Sequence, residues 1–92
     1  MGKKELMQIL QEGEGQFVEF KEKPDNSLVK EIVAFANASG GKIILGVDDS
    51  GEIKGIPITN RLKSQILDYG KNCDPEIPLN LETRIKQALS RK

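Results

Sequence analysis

The chain contains no histidine and a single cysteine, Cys73. Ser-His and Cys-His catalysis within the chain are thereby excluded, together with the usual zinc sites, and the chemistry on offer reduces to carboxylates, lysines and backbone groups. One cysteine makes no internal disulfide, which fits a reducing compartment. Without a histidine to activate it, Cys73 reads as an ordinary semi-buried or surface thiol. Aromatic residues are scarce, at 4%, leaving few rings to stack on bases. An excess of one charge is missing too: 14 basic and 14 acidic side chains give a formal net charge of zero. The chain as a whole is therefore not the strongly basic object expected of a dedicated duplex binder, and any affinity for phosphate must be local. The longest apolar stretch, residues 43–47, falls far short of the roughly 20 residues of a spanning helix, and the opening MGKKE has no apolar signal core behind it. Cytoplasmic residence, with no membrane contact, is the expectation.

What is present suits one small domain. In 92 residues, 37% are hydrophobic and 30% charged, the balance of an α/β domain whose elements each show water one face. Leu6, Ile9 and Leu10 recur at helical spacing before Gly13, predicting a helix over residues 3–12. Residues 16–22 alternate, with Val18 and Phe20 on one face and Glu19 and Lys21 on the other, which predicts a half-buried strand. Asn26 or Ser27 is placed to cap a helix over 28–38 with Leu28, Ile32, Phe35 and Ala36 inside, and Gly40 and Gly41 turn the chain into the next strand, 42–48. That strand's nearly continuous apolar run marks it as central, and Asp49, Ser50 and Gly51 turn it into a hairpin with residues 52–56. Thr59 or Asn60 caps a further helix through Tyr69, with Gly70 just past its end. Leu81, Ile85, Ala88 and Leu89 predict a last helix. The fold class is α/β (α+β): a small mixed sheet with a central hairpin, packed on helices.

Gly40, Gly41 and Lys42 are not a phosphate loop. Position 36 is alanine where that motif needs glycine, Ile43 replaces the hydroxyl residue, and the glycines lead from helix to strand rather than from strand to helix. The first strand offers more. With Val18, Phe20, Ile43, Leu45 and Val47 facing the core, Glu19 and Lys21 share the opposite sheet face with Ile44, Gly46 and Asp48, and Glu19 approaches Asp48 over the gap at Gly46. Glu14, just before the strand, is a third carboxylate within reach. Carboxylates beside a lysine are what a magnesium- or manganese-dependent phosphodiesterase requires, because hard cations take oxygen ligands and offset the charge developing on phosphate. The same pattern also describes a merely solvated strand face, and Asp48 and Asp49 are ordinary hairpin-turn residues. Positive charge concentrates at Lys21 and Lys23 and at Arg84, Lys86, Arg91 and Lys92. The nucleic-acid contacts expected from it are Lys21, Lys23, Arg84 and Lys86.

Three blocks stand in order: FVEFKE at 17–22, AFANASGG at 34–41 and IILGVDDSGEIKG at 43–55. Together they resemble the Schlafen AlbA family signature, a Glu-Phe-Lys strand, an Ala-Phe-Ala-Asn-x-x-Gly-Gly helix end and a Gly-Val-Asp-Asp-x-Gly hairpin. The resemblance implies an α/β sandwich, found in bacteria at the amino terminus of transcriptional regulators, helicase-related proteins and proteins described as ATP-binding, with DNA binding as the general role. A related module in animal Schlafen proteins is an endoribonuclease acting on structured RNA through two glutamates and an aspartate. Carried over by motif, these are Glu14, Glu19 and Asp48, with Asp49 as the alternative for the last role.

The expectations are thus a nucleic-acid-binding module of a bacterial transcriptional regulator, a divalent-metal-dependent endoribonuclease, or a protein-interaction or ATP-linked regulatory module. Family members usually continue past residues 75–78 with further strands, so residues 1–92 are expected to be one domain at the amino terminus of a longer protein. Sheet edges left open by such a cut invite pairing of two copies, and hence a homodimer.

Overall fold

The computed structural model describes residues 2–82. Its element order is α1 (Lys3–Glu12), β1 (Val18–Lys21), α2 (Ser27–Ala38), β2 (Lys42–Leu45) and α3 (Asn60–Lys71). Helix α1 forms because Leu6 and Leu10, four residues apart, share one buried side, and it stops where Gly13 takes φ 89° and donates its N–H to Ile9. The entry to α2 is fastened by Asp25, whose Oδ1 accepts the N–H of Ser27 at 3.0 Å and its hydroxyl at 2.6 Å. Neither expected cap does this: Asn26, at the N-cap, makes no side-chain cap bond. For α3 the cap is Thr59, whose hydroxyl oxygen accepts the N–H of Leu62 at 3.0 Å.

Strands β1 and β2 run parallel, with α2 as the crossover that such pairing demands. The register sets Glu19 opposite Ile43, Phe20 opposite Ile44 and Lys21 opposite Leu45. Paired residues point to the same face, so the sheet separates two apolar clusters. On one side Phe20, Ile44 and Val18 pack with Leu6, Leu10 and Ile9 of α1 and with Val47 and Ile53. On the other, Ile43 and Leu45 pack with Leu28 and Ile32 of α2, with Leu62, Ile66 and Tyr69 of α3, and with Ile77 and Leu79. The chain is a small α/β domain with helices on both faces of its sheet.

This arrangement corrects the expected division of faces. Ile43 and Leu45 share a face with Glu19 and Lys21 rather than with Phe20, while Ile44 joins Phe20. Val47 nonetheless reaches the Phe20 cluster, breaking step with Leu45. The cause is Gly46, whose φ of 83° kinks the chain, so that the carbonyl of Lys21 accepts the N–H of Gly46 at 2.7 Å and that of Val47 at 3.4 Å. A side chain at Gly46 would press on the backbone of Gly55 at 3.2 Å.

The hairpin is present but short. Asp48 N–H donates to Glu52, Lys54 N–H donates to Gly46, and Val47 pairs antiparallel with Ile53 as a single bridge, which makes the pairing mixed. Ala36 is exposed rather than buried. Gly70 lies inside α3, not past it, because the returning chain crosses here: Ile77 N–H donates to its carbonyl at 2.9 Å, and a Cβ would collide with the Ile77 carbonyl oxygen and the Leu79 side chain. Of the expected last helix, only Leu81 and Glu82 fall within the described residues, and they are not helical.

Candidate functional site

Strand β1 and the turn after it carry the residues singled out for chemistry. Lys21 leans over α2, its Nζ 3.1 Å from Asp25 and 3.6 Å from Glu31, and its side chain is only 13% exposed. Burial lowers the pKa of its ammonium group. The hydrogen bond to Asp25 and the charges of Glu31 and Asp25 outweigh that and leave it raised. A lysine so enclosed braces strand to helix. Lys23, two residues on, is exposed and takes part in none of the ion pairs among the described residues. Arg84 and Lys86 lie outside the described residues.

The three expected carboxylates are placed differently. Glu14 turns back on β1, its Oε2 accepting the N–H of Phe20 at 2.8 Å. Glu19 is half-buried, and its carboxyl is raised above the ordinary value first by burial and then by the neighbouring carboxylates Glu14 and Glu31. Asp48 is not among the groups acting on Glu19. It organises the hairpin turn instead: Oδ1 accepts from Ser50 N–H at 2.9 Å, Ser50 Oγ at 2.7 Å and Glu52 N–H at 3.0 Å, while Oδ2 lies 3.9 Å from Lys54. The Ser50 hydroxyl, the Glu52 and Ser50 amides and Lys54 hold its carboxyl below the usual range. Glu14 and Glu19 are thus neighbours, and the kink at Gly46 commits Asp48 to its turn. Among the described residues no group of three acidic or cysteine side chains is arranged to hold a metal ion, so the carboxylates as placed do not fit one.

Two features escaped sequence reading. Glu31 completes the acidic group, and one of its oxygens, Oε1, is buried with no hydrogen-bond partner, the 3.6 Å approach of Lys21 being an ion pair rather than a hydrogen bond. Its signal was available: Leu28, Glu31, Ile32 and Phe35 fall at i, i+3, i+4 and i+7, so the helical period itself turns Glu31 toward the sheet. The second is an open recess of about 290 Å³ lined by Ile9, Phe17, Val18, Ser39, Gly40, Gly41 and Lys42. Phe17 stands 47% exposed at its rim, and Lys42, exposed at the start of β2, makes no ion pair among the described residues. Its signal was Phe17 itself, an aromatic residue out of phase with Val18 and Phe20.

No curated protein and no solved structure matches the chain. The family model described as Schlafen, AlbA_2 matches residues 14–89, a span that takes in β1, the Glu14–Glu19–Glu31 group, the Gly46 kink, the hairpin and α3. The chain belongs to the Schlafen AlbA_2 family.

Proposed function

We propose that this domain binds nucleic acid, as the DNA-binding module of a bacterial transcriptional regulator. Family membership supports a nucleic-acid-related role. The observation that carries the proposal on this chain is the recess at the amino ends of the two strands, where an exposed ring, Phe17, stands beside Lys42, a lysine that makes no ion pair among the described residues, over an apolar floor. A base has a π-face for the ring and a phosphate for the ammonium group, and base stacking on an aromatic side chain contributes roughly 1–3 kcal/mol. Exposed Lys23 supplies a second cation. With net charge zero, such local contacts rather than a general field must produce the affinity. Fluorescence anisotropy with labelled oligonucleotides tests this: binding weakens as salt rises, and Phe17→Ala and Lys42→Gln each weaken it. An absence of binding at low salt removes the proposal.

A second reading is cleavage of structured RNA by Glu14, Glu19 and Asp48 with magnesium or manganese. It is favoured by the Glu14 carboxylate lying against β1 at the N–H of Phe20, the residue next to Glu19. It requires Asp48 to leave the hydrogen bonds of its turn. Incubating the chain with a structured RNA and manganese decides it: cleavage that is lost in Glu19→Ala supports it, and cleavage that survives in that variant excludes the site.

A further inference from the structure

The two outer edges of the β1–β2 sheet are finished differently. In the parallel ladder the N–H of Lys42 donates to Phe17 and the N–H of Gly46 to Lys21, so the even-numbered residues of β2 turn their backbone groups toward β1. Val18 and Phe20 turn theirs outward from β1, and this edge is closed: Gly15 and Val18 exchange backbone hydrogen bonds, and Glu14 takes the Phe20 N–H. Ile43 and Leu45 turn theirs outward from β2. Beyond Leu45 that edge is covered by the bridge of Val47 to Ile53 and by the N–H groups of Lys54 and Gly55 on Gly46, after which the chain leaves for α3. Along Ile43 and Leu45 themselves no N–H or carbonyl has a partner among the described residues.

We propose that this edge pairs antiparallel with the same edge of a second copy of the chain, joining two β1–β2 sheets into one four-stranded sheet across a two-fold axis at Ile44. The spacing is self-complementary. Ile43 of one copy and Leu45 of the other exchange both backbone hydrogen bonds, the symmetric pair does the same, and the two Ile44 residues face each other as the non-hydrogen-bonded pair between them. The facing side chains are all apolar and half-buried, so aliphatic contacts extend on both sheet faces with no like charges opposed. The pairing is confined to residues 43–45 of each copy, because Lys54 and Gly55 already lie along Gly46, and a net charge of zero sets no long-range repulsion between copies. A strand edge with open donors and acceptors, and with no proline and no charge at Ile43, Ile44 or Leu45, is a template for such addition.

Two measurements on the unmodified chain test it together. Sedimentation velocity from about 20 μM to about 1 mM is expected to show the mass rising from 10.2 kDa toward twice that value. Over the same range, amide hydrogen exchange at Ile43 and Leu45 slows by about tenfold or more, while Ile44, already bonded to β1, changes little. In a Cys73→Ser background, Ile44→Cys should oxidise with glutathione disulfide to a covalent dimer, since the non-hydrogen-bonded pair brings the two Cα atoms to about 4.5 Å, within disulfide range. If that variant fails to fold, the exchange data decide alone. A mass that stays at one chain overturns the proposal. So does a dimer whose Ile43 and Leu45 amides exchange as in the monomer, which places the contact elsewhere, and so does protection there that is independent of concentration, which means another segment of the same chain lies along the edge.

Discussion

The carboxylate of Glu14 accepts the backbone N–H of Phe20 at 2.8 Å, fastening the loop after α1 to the outer edge of β1. The residue thereby has a structural task, whatever chemistry the acidic group performs. Glu14→Ala leaves the Phe20 N–H without its partner and is expected to cost about 1–2 kcal/mol in urea denaturation. Glu14→Gln keeps an acceptor oxygen and recovers most of the loss. Equal losses in the two variants would show that the charge matters rather than the bond.

Glu19 makes stability depend on pH in a direction opposite to that of the turn aspartates. Its carboxyl is raised above 4.5 by burial and by Glu14 and Glu31, so between 4.5 and its folded value the folded chain holds more protons than the unfolded chain, and stability falls as pH rises through that window. Asp25 and Asp48 are lowered from 3.8, chiefly by the hydroxyls of Ser27 and Ser50, so their stabilisation is present above 3.8 and is lost as pH falls toward their folded values. In thermal melts across pH, Glu19→Gln is expected to be more stable than the parent at neutral pH, to flatten the slope above 4.5 and to leave the acid limb below 3.8 unchanged. Parallel curves for the two proteins above 4.5 would contradict this.

Gly46 sits where β2 breaks step. Gly46→Ala must hold a φ near 83° and press its Cβ on the Gly55 backbone, for an expected loss of about 1–3 kcal/mol. Because Val47 follows the kink into the Phe20 cluster, the hairpin amides of Asp48, Lys54 and Gly55 should lose exchange protection before those of α2. Uniform loss across the chain would mean that Gly46 has no local role.

The element types were readable because local patterns carry them. Leu6 with Leu10, Leu28 with Ile32, and Val18 with Phe20 each declare a period, and all six lie inside as expected, Val18 partly so. The error over faces came from Ile43, Ile44 and Leu45. An unbroken apolar run reports that both faces are covered, but it does not say which residue takes which face; that depends on the register with β1 and on a glycine leaving the β region. Nor does it report that both edges are paired. The candidate site was legible in the same uneven way. Glu14 and Glu19 are near in sequence and near in space, whereas Asp48 depends on the path through Gly46, and Glu31 was overlooked because a charged residue on a helix is read first as solvent-facing.

The nucleic-acid reading distinguishes the lysines. Lys21 is braced by Asp25 and Glu31, so Lys21→Gln should lower stability more than it lowers affinity. Lys42→Gln should do the reverse.

Anisotropy titration of a labelled oligonucleotide against salt concentration, for the parent chain and for Phe17→Ala and Lys42→Gln, tests the central claim most directly. Affinity is expected to fall linearly with salt on logarithmic axes; Lys42→Gln should reduce the slope by about one, and Phe17→Ala should weaken binding by roughly 1–3 kcal/mol with the slope unchanged. Undetectable binding at low salt, or binding that neither salt nor these two substitutions alters, would contradict it.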